Sequence, residues 1–145
     1  MYTVKIKVDH PDLWPVRAHD TDAGADLRAT YNHCIMPGQQ QLVDTGVAIK
    51  IPRGFTGMVF NRSSQGKIGV QIANGVGIID SDYRGTIKVL LKNTGTIPYE
   101  IKGRDTRIAQ LVLVPIILPG FVEHLESEVW DDTIRGEGGF GSTGT

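Results

Sequence analysis

The densest run of reactive side chains is Asn74-Gly75-Val76-Gly77-Ile78-Ile79-Asp80-Ser81-Asp82-Tyr83-Arg84-Gly85. It reads as a strand, a turn through Asp80–Asp82 and a return strand from Thr86, a β-hairpin with two carboxylates, a phenol and a guanidinium at its mouth. Gly75 and Gly77 remove side chains where a flat ligand could meet the backbone. The same residues equally suit an ordinary Asp- and Ser-rich turn. A second run, Asn61-Arg62-Ser63-Ser64-Gln65-Gly66-Lys67, offers two cations, two hydroxyls and turn amides to phosphate oxygens, or forms a polar loop with a capping serine. It lacks the glycine spacing and terminal Lys-Ser/Thr of a P-loop. In Asp22-Ala23-Gly24-Ala25-Asp26-Leu27, Asp26 could hold a metal's water shell or fix a turn. Arg107 and Gln110 put polar groups on or beside an otherwise apolar strand, where a buried Gln110 needs partners from core or ligand.

Other chemistries are excluded. His10, His19, His33 and His124 have no metal-ligand spacing, and Cys34 stands alone but for His33. No Gly-x-Ser-x-Gly turn supports a Ser–His–Asp triad. The single cysteine rules out an internal disulfide and fits a reducing compartment. With 15 Lys+Arg against 16 Asp+Glu, the net charge of −1 gives no electrostatic case for coating nucleic acid or a membrane surface. The opening MYTVKIKVDH has no apolar run of signal-peptide length, and the longest apolar run, near Leu111–Leu118, is far short of a membrane span. These features predict a soluble, cytoplasmic protein.

The elements that must position these residues are strands. A length of 145 residues favours one domain, and 18 glycines disfavour a helical bundle. Apolar residues recur at period two: Tyr2, Val4, Ile6 and Val8 on one face, then Val47, Ile49 and Ile51. Further strands are predicted at Thr56–Phe60, Gly69–Ala73, Thr86–Lys92, Pro98–Ile101 and Phe121–Leu125. Turns at Met36-Pro37-Gly38, Pro52-Arg53-Gly54, Asn93-Thr94-Gly95, Lys102-Gly103 and Pro119-Gly120 separate them. Short strands spaced by Gly/Pro turns predict an all-β sandwich or barrel. Ile108–Val114 is apolar on both faces except at Gln110, so it should lie between sheets or against another subunit. The tail Arg135–Thr145 holds five glycines among eleven residues. It could be a simple disordered end, yet Arg135, Phe140, Ser142 and Thr143 could also close over an anionic, planar ligand.

Taken in order, AGADL at 23–27, RSS at 62–64, NGVGIIDSDYRG at 74–85, RIAQLV at 107–112 and RGEGGFGSTG at 135–144 resemble the five motifs of the trimeric dUTPase family. The resemblance covers the chain from end to end. It implies a jelly-roll-like β barrel over residues 1–134 and a glycine-rich arm at 135–145 that closes over the site when ligand binds. The molecule would be a homotrimer with sites at subunit interfaces. It implies a dUTP diphosphatase that hydrolyses dUTP to dUMP and pyrophosphate, which keeps uracil out of DNA and supplies dUMP for thymidylate synthesis. Asp80 matches the general base that activates a water against the α-phosphorus. Asn74, with nearby backbone at Gly77 and Ile79, matches the uracil-reading positions, and Tyr83 the residue that packs on deoxyribose and rejects a 2′-hydroxyl. Arg62, Ser63, Ser64 and Gln110 match phosphate contacts. Phe140 would stack on uracil, while Arg135, Gly141, Ser142 and Thr143 would hold the γ-phosphate end. Mg²⁺ would ride on the phosphates, as suits an ion that keeps its waters, with Asp26 in its outer shell through water.

The chain departs from the family pattern at Asn61, where Gly or Pro often stands, and at Gln65-Gly66-Lys67, which replaces an apolar-small run. The Arg62–Asn74 segment is also about one residue short. Two rival readings follow from the same fold. A dCTP deaminase needs a glutamate after the hairpin, but Thr86-Ile87-Lys88-Val89-Leu90-Leu91-Lys92-Asn93 has no acid. A nucleotide-switched regulatory protein would use the lid to signal to a partner, but no segment looks like a dedicated interaction insert.

Overall fold

The structure, a computed structural model, describes residues 3–130 and 133–138. Eleven strands follow the chain: β1 Lys5–Val8, β2 Ala25–Arg28, β3 His33–Ile35, β4 Gln40–Asp44, β5 Val47–Lys50, β6 Phe55–Phe60, β7 Val70–Ile72, β8 Gly77–Ile79, β9 Lys88–Asn93, β10 Tyr99–Ile101 and β11 Arg107–Pro115. A single five-residue helix, α1, spans Ser63–Lys67, and a 3₁₀ turn spans Pro11–Leu13. The described chain is all-β, as composition and patterning predict.

Every strand pairing is antiparallel, and the strands form four sheets: β2-β11-β6-β8, β4-β9-β7, β1-β5 and β10-β3. These pairings do not close into one continuous ring among the described residues. All four sheets turn apolar side chains into a common core. Leu27, Val59, Ile108 and Leu111 come from the largest sheet, Val43, Val70, Val89 and Leu91 from the second, Val47 and Ile49 from the third, and Ile35 and Ile101 from the fourth. Alternation does this sorting: in β9, Val89, Leu91 and Asn93 are buried while Lys88 and Lys92 face out.

Strand β11 lies between β2 and β6, which explains its near-continuous apolar sequence. Ile108, Ala109 and Leu111 are buried, whereas Val112, Leu113 and Val114 stay half-buried. Asn93 is the core's polar fastening. Its amide nitrogen donates to the carbonyls of Ile35 and Ile97, both at 2.8 Å, and its oxygen accepts from the Gly95 amide at 2.9 Å. It thereby ties the Asn93–Gly95 turn to β3.

Several local expectations change. Residues 74–86 do not form a hairpin: β8 pairs with β6, while β9 joins β4 and β7 in another sheet. The connecting chain crosses between sheets, anchored where the Ile87 amide donates to the Val47 carbonyl at 2.8 Å. Phe121–Leu125 forms no strand, because an alternating pattern with no partner ladder has nothing to stabilise it. Phe121 and Val122 stand 96% and 94% exposed. Tyr2 lies outside the described residues.

Candidate functional site

The largest sheet builds the first half of the site by register. Asp26 in β2 is the partner of Gln110 in β11, and Gln110 is in turn the partner of Phe60 at the end of β6. The chain leaves β6 through Asn61 and Arg62 into α1. Three segments far apart in sequence therefore meet at one end of one sheet. They enclose a cleft of about 330 Å³ lined by Asp22, Gly24, Asp26, Arg62, Ser63, Arg107 and Gln110, among others.

Asp26 is not in a turn; its carboxylate rises from a strand and is held by two guanidiniums. Arg62 donates through Nε to Oδ1 at 2.7 Å and through Nη2 to Oδ2 at 3.2 Å. Arg107 donates through Nη1 to Oδ2 at 3.1 Å. Arg62 and Arg107 balance the Asp22 and Asp26 carboxylates that line the cleft, and both guanidiniums carry N–H donors beyond those spent on Asp26, which suit phosphate oxygens. Gln110 donates its amide nitrogen to the Asn61 carbonyl at 2.9 Å, and its oxygen fills the space a Cβ at Gly24 would need. A side chain at 24 would therefore displace the Gln110 amide from its place in the cleft. Asp22 also lines the cleft; the His19 backbone amide donates to it at 3.0 Å and holds its carboxyl below the usual range.

Within the polar run 61–67, Ser63–Lys67 is a short helix rather than a loop, and the unusual residues Asn61 and Gln65 are structural. The Asn61 side chain donates to the Val70 carbonyl at 2.9 Å. Gln65 is buried, accepting from the Arg62 amide at 3.4 Å and donating to the Tyr99 hydroxyl at 3.2 Å. Both fasten the backbone that carries Arg62. Ser63 and Ser64 are exposed, with Arg62 Nη1 donating to Ser64 Oγ at 3.3 Å. Lys67 is exposed and lies away from the residues lining this cleft.

The second half lies elsewhere. Asp80, Ser81, Asp82 and Arg84 border a separate cleft of about 680 Å³ with Lys50, Arg53, Thr56 and Ile116. The Asp80 carboxylate is exposed, and no ion pair engages it among the described residues. Its loop is stapled by Arg84, which donates through Nη1 to the carbonyls of Ser81 and Tyr83, both at 2.8 Å. The Tyr83 hydroxyl donates to the Thr86 carbonyl at 2.9 Å. Asn74 is exposed at the start of the Gly75 turn, where φ is +78°. Gly77 and Ile79 lie in β8 against β6, with Gly77 opposite Val59 and Ile79 opposite Gly57.

The two halves stand at opposite ends of one sheet. Asp80 follows Ile79, the partner of Gly57, whereas Asp26 shares the row of Phe60, three strands across. At roughly 4.8 Å per strand and 3.3 Å per residue, Asp80 and Asp26 are about 20 Å apart. One chain brings Asp26, Arg62, Ser63 and Gln110 together but leaves Asp80 and Tyr83 apart from them, whereas β8 starts opposite Val59, so Asn74 precedes it at the Phe60 end of the sheet.

Arg135 donates through Nε to the Gly138 carbonyl at 2.9 Å, a local turn, while Phe140, Gly141, Ser142 and Thr143 lie outside the described residues. The sequence places Arg107 beside the apolar strand but carries no signal for its partner; the bulge between Arg107 and Ala109 accompanies its turn toward Asp26. Lys50 and Arg53 beside Asp80 had no motif signal beyond the Pro52-Arg53-Gly54 turn. Cys34 is exposed and remote from both clefts, its thiol pushed up by the Glu100 side chain. No three metal-binding side chains gather among the described residues, and no described helix is long and apolar enough to cross a membrane.

The described chain is thus an antiparallel all-β protein with a doubly arginine-clamped carboxylate at one sheet end and an exposed carboxylate on a glycine-flanked loop at the other. The dUTPase family model matches residues 13–144, and the chain belongs to that family. It is 45% identical over 152 residues to the deoxyuridine 5′-triphosphate nucleotidohydrolase of Escherichia phage T5, covering 98% of this chain and 99% of that protein. It is 44% identical over 140 residues to the enzyme of the same name from Corynebacterium glutamicum, covering 96% of this chain and 92% of that one. Among solved structures it resembles the Staphylococcus bacteriophage 80alpha dUTPase G164S mutant with dUpNHpp, with a TM-score of 0.85, 28% identity and full coverage of both chains.

Proposed function

We propose that this chain hydrolyses dUTP to dUMP and pyrophosphate, keeping uracil out of DNA and supplying dUMP for thymidylate synthesis. The observation that carries the reading is the convergence of Asp26, Arg62, Ser63, Arg107 and Gln110 into one polar cleft in a chain of the dUTPase family.

In this reading, Arg62, Ser63, Ser64 and Gln110 take the triphosphate. Arg62 is fixed by Asp26 and by the Asn61–Gln65 fastening, so little ordering remains to be done when substrate binds. Asp80 is the general base: an exposed carboxylate on a stapled loop can hold a water in line with the α-phosphorus and take its proton as the new P–O bond forms. Pyrophosphate then departs. Asn74, Gly77 and Ile79 read the uracil edge, and Tyr83 packs on the deoxyribose.

Mg²⁺ fits this site only as an ion carried by the substrate. The cleft offers one carboxylate pair and hydroxyl oxygens rather than a protein cage, and Asp26 is already engaged by arginines. Asp26 would face the ion through water, and the bound ion supplies neutralisation of phosphate charge.

The roughly 20 Å between the half-sites supports an active site assembled from several copies, as in a homotrimer with a jelly-roll-like barrel body at 1–134. The exposed apolar side chains Ile117, Phe121, Val122, Val129 and Trp130 suit burial against another copy. The arm at 135–145 would then bring Arg135, Phe140, Gly141, Ser142 and Thr143 over the bound nucleotide and exclude water.

The test is incubation of the protein with Mg²⁺ and each deoxynucleoside triphosphate in turn, with pyrophosphate measured. Release from dUTP alone supports the reading. Conversion of dCTP to dUTP, or no turnover, overturns it.

A further inference from the structure

We propose that Gly85, with the Thr86–Asp44 tether behind it, is the positioning element that seats Tyr83 and so sets discrimination at the sugar. The inference rests on the reading of Tyr83 as the deoxyribose-facing residue.

The Tyr83 ring folds back over Gly85. A Cβ at position 85 would lie 2.5 Å from the Tyr83 hydroxyl oxygen, 2.8 Å from Cζ and 3.3 Å from Cε2. These atoms belong to a ring that cannot yield by a small rotamer adjustment while its hydroxyl stays bonded. Gly85 does not have the left-handed φ of Gly75, so its backbone does not demand glycine. The space beneath the ring does.

The floor under the ring is fixed. The Tyr83 hydroxyl donates to the Thr86 carbonyl at 2.9 Å. The Thr86 hydroxyl donates to Asp44 Oδ2 at 2.9 Å, and Asp44 Oδ1 accepts the Gly46 amide at 2.8 Å. Next along the chain, buried Ile87 exchanges backbone hydrogen bonds with Val47 and Thr45 at 2.8 and 3.0 Å. Tyr83 is 41% exposed, so within the chain its hydrogen bond and the glycine beneath it, rather than burial, fix its place. A gate that rejects one hydroxyl must be positioned to within about half an ångström. With a methyl at 85 the ring must leave its seat and lose the Thr86 bond. With the tether cut, the carbonyl it bonds is no longer held.

The experiment compares kcat/KM for dUTP and UTP in the wild type and in Gly85→Ala, Thr86→Val and Tyr83→Ala, each checked for folding by circular dichroism. The dUTP/UTP ratio should fall at least tenfold in Gly85→Ala and several-fold in Thr86→Val. Where Gly85→Ala does not fold, Thr86→Val carries the test. A ratio within twofold of wild type in either folded variant, while Tyr83→Ala lowers it, overturns the seat and leaves the gate standing. An unchanged ratio in Tyr83→Ala overturns the gate itself, and the seat with it.

Discussion

Arg62 and Asp26, 36 residues apart in sequence, meet in a two-pronged ion pair, Nε to Oδ1 at 2.7 Å and Nη2 to Oδ2 at 3.2 Å. Arg107 shares the same carboxylate. The carboxylate therefore aims two guanidiniums that would otherwise repel each other.

Replacing Asp26 with alanine should release both arginines. The dUTP KM should rise at least tenfold, because the phosphate-facing donors lose their preset geometry. Loss of the charge-assisted hydrogen bonds should cost roughly 1–3 kcal/mol of stability. Steady-state kinetics and urea denaturation check both effects.

The distance between Asp80 and Arg62 makes a second prediction. Asp80→Asn and Arg62→Ala should each be nearly inactive alone. Subunits mixed 1:1, unfolded and refolded together, should regain activity. If each site takes Asp80 from one copy and Arg62 from another, random mixing restores about a quarter of the sites. A mixture no more active than its components contradicts a shared site.

Removing residues 135–145 should lower kcat/KM for dUTP at least a hundredfold while leaving the melting temperature within a few degrees. The body's core residues all lie before this segment. A truncated chain with an unaffected rate contradicts the lid.

Asn93→Ala should destabilise the fold without touching either cleft. It strips partners from the Ile35 and Ile97 carbonyls and from the Gly95 amide. Buried polar groups left unpaired cost about 1–3 kcal/mol each before relaxation, so a total loss of about 2–4 kcal/mol is expected in denaturant titrations.

What was legible in the sequence followed the physics that acts locally. Alternation marked β1 and β5, a near-continuous apolar run marked β11, and the five motif segments stood out by residue type. What was not legible depends on partners distant in the chain. Strand β4 exposes Gln40, Gln41 and Leu42 and buries only Val43, so its pairing with β9 leaves little local trace. Strand β2 begins within the AGADL segment, whose small residues read as a turn, and ends at Arg28. The 74–86 stretch looks like a hairpin because its two ends are close in sequence, yet β8 finds its partner in β6, some twenty residues earlier. Helix α1 has five residues and no apolar stripe; buried Gln65, bonded to the Arg62 amide and the Tyr99 hydroxyl, organises it together with Asn61. The arginine clamp on Asp26 is likewise a product of strand register, which no single segment encodes.

The most direct test of the account is hydrolysis of dUTP by the full chain with Mg²⁺ in water enriched in ¹⁸O, followed by mass spectrometry of both products. Attack by a water on the α-phosphorus predicts one ¹⁸O in dUMP and none in pyrophosphate. Label in pyrophosphate, or no hydrolysis of dUTP, would contradict it.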